Sequence, residues 1–124
     1  MLSDAFISAV ESWDRDAAAA ALADDVSFRS PVVFKPYEGR EATVAVLHAV
    51  SRVFEDFTYI DRIEGERTAA LIFRARVGER ELEGLDHLTF DDDGRVSELR
   101  VMVRPMTGMV ALAEAMQREL EALG

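Results

Sequence analysis

The chain has no cysteine, so disulfides, thiolate nucleophiles and cysteine metal sites are excluded. Lysine is nearly absent as well. Lys35 is the only one, and it lies in a proline-flanked loop between Pro31 and Pro36, so a buried Schiff-base lysine is not expected. Positive charge is scarce: 14 Lys and Arg stand against 24 Asp and Glu, for a net charge of −10. Such a field repels phosphate backbones and anionic lipid heads, which argues against nucleic acid and membrane surfaces as partners. No apolar run reaches the length of a membrane span or a signal segment, so the expected location is the cytoplasm. There is no Gly-rich phosphate loop, no nucleotide fingerprint and no Ser-His-Asp order. No cofactor and no metal is expected.

What is present is one domain's worth of chain, residues 1–124, with 49% hydrophobic residues. Phe6, Ile7, Val10 and Trp13 follow helical spacing and predict a helix over residues 3–13. Asp14 is a good N-cap for an Ala-rich helix through Ala23. Val26, Phe28 and Ser30 alternate with Ser27 and Arg29 in a short strand that Pro31 interrupts. Residues 31–39 read as a loop, and Gly39 precedes a helix carrying Val46, Leu47, Val50, Val53 and Phe54 on one face. Four strands follow over 57–64, 68–77, 80–90 and 95–104, separated by Gly65, Gly78 and the Asp91–Gly94 turn. Short turns make them an antiparallel meander. Met109, Leu112, Ala113, Met116, Leu120 and Leu123 mark a final amphipathic helix. The expected fold is α+β: a cone-shaped, curved antiparallel sheet packed against the N-terminal helices, with an extra C-terminal helix and a conical cavity between the layers.

Asp86 carries the sharpest chemical signal. It shares strand parity with Leu82, Gly84, Leu88 and Phe90, which sets a carboxylate among inward-facing apolar side chains. An ionised carboxylate there is costly, so the group pairs, hydrogen-bonds or keeps its proton. A protonated carboxyl donates a hydrogen bond to a ligand oxygen or acts as an acid. The alternative is a structural Asp bonded to a neighbouring backbone or Arg. His87 falls on the opposite parity and His48 beside a helical apolar stripe, and neither has companions at metal spacing. Asp91–Gly94 lacks the later ligands of a calcium loop and reads as a hairpin turn. Trp13, Phe28, Phe34, Tyr37 and Phe54 line a pocket or simply fill a core. Leu88, Val101 and Val103 join the pocket candidates. Arg104, at a strand end, either reaches the cavity mouth to hold an anion or pairs with a surface Glu.

Ala23-Asp24-Asp25, the strand ending at Pro31, Gly39 before a helix, Leu85-Asp86-His87, Phe90 and Gly94-Arg95-Val96 together resemble ketosteroid isomerase. More broadly, the chain resembles the SnoaL-like branch of the nuclear-transport-factor-2-like superfamily, which includes polyketide cyclases. The resemblance covers about Phe6 to Pro105, and the helix from Met106 goes beyond the isomerase pattern. It implies a protonated-Asp role for Asp86, part of the oxyanion hole those isomerases build with a Tyr. It places their general base at Ser30, their oxyanion Tyr at Phe6 and a supporting Tyr at Leu47. A serine hydroxyl is no base near neutral pH without an activating partner, so steroid isomerisation by that route is not expected.

Three functions follow as expectations. The first is binding of a small, mostly apolar molecule in the cavity, with Asp86 as polar anchor. The alternative is an isomerase-, cyclase- or dehydratase-type enzyme with Asp86 as acid or hydrogen-bond donor, assisted by Tyr37 or Arg104. The second alternative is a dimeric protein-binding scaffold whose cavity is packed solid by Trp13, Phe28 and Phe54. A homodimer is expected because helices can cover only one of the sheet's two faces.

Overall fold

A computed structural model describes residues 1–123. Four helices, α1 (Asp4–Ser12), α2 (Arg15–Ala21), α3 (Arg40–Val53) and α4 (Met106–Leu123), accompany six strands. The strands are β1 (Leu22–Arg29), β2 (Tyr37–Glu38), β3 (Glu55–Glu64), β4 (Thr68–Val77), β5 (Arg80–Phe90) and β6 (Val96–Arg104).

Local chemistry sets the boundaries. Trp13 closes α1 in a left-handed conformation, φ 53°, an unusual state for a bulky residue. Asp14 Oδ1 then accepts hydrogen bonds from the Asp16 and Ala17 amides at 2.9 and 3.1 Å and starts α2. Gly39 precedes α3 at φ 94°, where a side chain would be strained. The buried Ser3 donates its amide and hydroxyl to the Glu64 carboxylate at 2.9 and 2.8 Å, tying the start of α1 to β3.

The sheet order is β2-β1-β6-β5-β4-β3. The meander from β3 to β6 is antiparallel, with Leu71 opposite Asp86 and Asp86 opposite Val101. Two parts of the expected architecture are corrected here. The sheet is mixed, because β1 runs parallel to β6 with Phe28 opposite Leu99. It is also open: β2 and β3 form its two edges and do not pair with each other, so the cone-shaped antiparallel sheet is not formed. The chain leaves β1 through β2 and α3, enters the sheet again at the far edge and returns strand by strand. β1 thus meets the last strand in the same direction.

Alternation divides the two faces. Leu71, Phe73, Ala75, Leu82, Leu88, Phe90, Val96 and Leu99 are buried in one core with Phe6 and Val10 of α1, Val46 and Ala49 of α3, and Leu112 and Met116 of α4. The opposite parity, with Ile72, Arg74, Leu85, His87, Arg100 and Met102, has none of the described helices of that core packed over it. In α4, Leu112 and Met116 are buried and Met109 half-buried, and Leu120 lies at the edge. The Leu123 side chain, also expected on that stripe, lies outside the described residues. No described helix is long and apolar enough to cross a membrane.

Candidate active site

Central position in the sheet makes Asp86 a buried charge: it is only 7% exposed. The Tyr59 hydroxyl donates to its Oδ2 at 2.7 Å, and no cationic side chain among the described residues pairs with it. Burial raises the Asp86 carboxyl to about 7, against the smaller lowering effect of the Tyr59 bond. The Tyr59 phenol is pushed well above its usual range by burial and by the charge of Asp86. The structural alternative of an Asp–Arg pair is therefore absent, and the group titrates near neutral pH.

Asp86 lines an apolar chamber of about 50 Å³ between sheet and helices. Its walls include Phe6, Trp13, Phe28, Leu47, Phe54 and Val101, all expected pocket residues. They also include Val10, Pro31, Val50, Phe57, Phe73, Leu99 and Leu112. Phe57 is the hub of the aromatic wall. It stacks on Phe73 at 4.9 Å and on Phe54 at 5.8 Å, and meets Tyr59 and Trp13 edge-on at 5.0 and 5.5 Å. Phe73 lies flat across its sheet partner Gly84: a Cβ there would sit 2.0 Å from the ring's Cζ. That glycine is what lets an aromatic ring form the chamber floor.

Six expected pocket residues lie elsewhere. Phe34 is 96% exposed, in a loop that no element covers. Arg104 points outward on the parity of Met102, with a 72% exposed side chain, and donates to Glu83 at 3.0 Å. Arg74 donates to the same carboxylate at 3.2 Å. Leu88 is fully buried in the core without reaching the chamber. Val103 lines a shallow depression with Gly84, Leu85 and Met102. Ser30 and Tyr37 line an outer groove against α4. The Ser30 hydroxyl accepts from the Val32 and Val33 amides, both at 3.2 Å, and so is spent on its own turn.

Sequence reasoning missed Tyr59, Phe57 and Phe73. The available signal was parity: Phe57 and Tyr59 alternate on one strand, and a tyrosine on an inward face needs a hydrogen-bond partner. His48 and Trp13 flank a surface cleft of about 20 Å³ between the first three helices. His87 lies on the outer sheet face, its Nδ1 buried without a partner. No group of three or more metal-binding side chains is brought together among the described residues.

By architecture the molecule is an α+β protein with a cystatin-like fold. Residues 4–99 match the SnoaL-like domain, and the chain belongs to that family, within the nuclear-transport-factor-2-like superfamily. It is similar to the crystal structure of a steroid Δ-isomerase from Pseudomonas aeruginosa, with 42% identity and a TM-score of 0.91, over 95% of this chain and 88% of that one. It is also similar to a conserved bacterial protein with a cystatin-like fold from Silicibacter pomeroyi, with 30% identity and a TM-score of 0.90, over 95% and 86%. An NTF2-like protein from Cytophaga hutchinsonii shares the fold at 19% identity and a TM-score of 0.68, over 86% and 89%. No curated protein matches the chain.

Proposed function

We propose that the protein is an isomerase-type enzyme that acts on a small neutral molecule through one of the molecule's oxygens. The observation that carries this is Asp86: a carboxyl at the wall of an apolar chamber, bonded only to a phenol and poised near pH 7. In its neutral form it donates a hydrogen bond to a carbonyl oxygen and stabilises the charge that develops there on enolisation. Tyr59 stands behind it as a positioning residue. The 42% identity to a steroid Δ-isomerase supports this reaction class over simple storage. Among the described residues no second carboxylate and no imidazole lines the chamber, so water takes the proton from the carbon beside the carbonyl and returns one to the far end of the dienol, which moves the double bond into conjugation.

The test is double-bond migration in a panel of β,γ-unsaturated ketones, followed by the ultraviolet absorbance of the conjugated product. Turnover should fall as pH rises through about 7, and Asp86→Leu should lose about a hundredfold or more of the rate. Turnover equal to that in buffer alone for the whole panel, with no carbonyl compound bound, would rule the proposal out.

We further propose a homodimer formed through the uncovered sheet face. Leu85 lies between Ile72 and Met102 in the register there, and Met102 is 54% exposed. The buried, unpartnered His87 Nδ1 on the same face suits a partner's polar group.

A further inference from the structure

The inner chamber is small for its task. At about 50 Å³ it takes a head group, whereas ligand pockets start at roughly 300 Å³. A second space of about 380 Å³ lies between α3, α4 and the 30–37 loop. Phe28, Pro31, Val50 and Leu112 line both spaces, so a single layer of side chains separates them. The groove's floor is apolar, with Val46 and Met116 among its residues. Val32, Val33 and Leu120, three of the exposed large apolar side chains, also line it and are left uncovered. The charged group that lines it is Glu114, and among the described residues no cation lines either space.

We infer that the groove along α4 is the tail subsite of the same pocket, and that the ligand is an uncharged, elongated oxo compound whose apolar tail lies there. The head oxygen meets Asp86, and the tail passes between Phe28 and Leu112 to the groove. Anionic amphiphiles such as fatty carboxylates or phosphate esters are disfavoured: Asp86 sits at the head, Glu114 flanks the tail, and the whole chain carries −10. The head contact rests on the function proposed above. The tail contact does not.

The experiment is calorimetric titration with 4-alkylcyclohexanones from methyl to hexyl. Affinity should rise about threefold to fourfold per methylene as the tail enters the groove. Ala113→Trp, which fills the groove, and Leu120→Glu, which charges its wall, should abolish that increment and leave the methyl compound's affinity unchanged. Hexanoate and longer carboxylates should bind at least tenfold more weakly than the ketones of equal length. Asp86→Leu should weaken every ketone by the same factor. Were the increment absent in the wild type, or unchanged in both groove variants, the tail subsite would be wrong. An increment lost instead in Ala18→Trp would put the tail in the cleft by Trp13 and His48 and overturn the assignment too. If the increment survives but Asp86→Leu changes nothing, the subsite stands and the proposed role of Asp86 falls. Failure of every ketone to bind would remove both.

Discussion

Asp86 sets desolvation against a single hydrogen bond, and desolvation wins. A shift from 3.8 to about 7 is roughly 4 kcal/mol of differential cost to the charged form. The sign is fixed by which state holds the proton. Between about pH 4 and 7 the folded protein keeps a proton that the unfolded chain has released, so stability falls as pH rises through that window and levels off above it. Asp4 and Glu83, paired with cations, are lowered instead and lose their contribution only in stronger acid. Thermal unfolding should therefore show a lower midpoint at pH 8 than at pH 5. Asp86→Asn, which keeps size and polarity, should shrink that difference and cost little at pH 8. A variant with the wild-type slope would mean another group titrates. Tyr59→Phe removes the one partner that favours the charged carboxylate. It should push the Asp86 titration, followed by carbon-13 NMR of the carboxyl, still higher, and cost about 1 kcal/mol of stability. A downward movement would show that the phenol does not act on the carboxylate.

At the level of elements, one glycine controls how closely α4 approaches the sheet. A Cβ at Gly108 of α4 would lie 2.8 Å from the Leu82 Cβ and 3.0 Å from the Glu81 carbonyl oxygen of β5. Alanine is the better helix former by about 1 kcal/mol, but here it meets a strand near its backbone. Gly108→Ala should destabilise by about 1–3 kcal/mol in denaturant unfolding, against the helix-propensity trend. A gain in stability would show that α4 is free to shift. The same closeness explains what was legible in the residues. The strands β4 to β6 announce themselves through local alternation and short turns, and Asp86 stands out as a charge on an apolar parity. The start of β1 does not: Leu22 and Ala23 continue an alanine run that favours helix, and what makes them strand is a parallel partner about 70 residues later. Tyr59 was hidden for a similar reason. Its partner lies 27 residues away on a strand that is not its neighbour, and Tyr on a half-buried strand is ordinary.

For the whole molecule, one uncovered sheet face and a large negative charge pull in opposite directions. The outer face carries Arg29, Arg74, Arg100 and Arg104, all four of them in ion pairs with the two carboxylates of Glu83 and Glu98, so these groups add no net negative charge while the centre of the face is apolar. Two copies can meet there without bringing the net acidic surface together. Equilibrium sedimentation should give a dimer at micromolar concentration, and Met102→Glu should give a folded monomer. A wild-type monomer across that range would remove the proposed interface.

Trp13, the residue that turns the chain between α1 and α2, is the only tryptophan in the protein and forms part of the chamber wall. The molecule thus carries its own optical gauge. Excited near 295 nm, the emission comes from one indole, packed edge-on against Phe57 and close to whatever enters. Filling the chamber with an apolar head group should move that emission to shorter wavelength and shield it from a soluble quencher. Occupancy can then be read in the native sequence, without a label and without knowing beforehand what the occupant is.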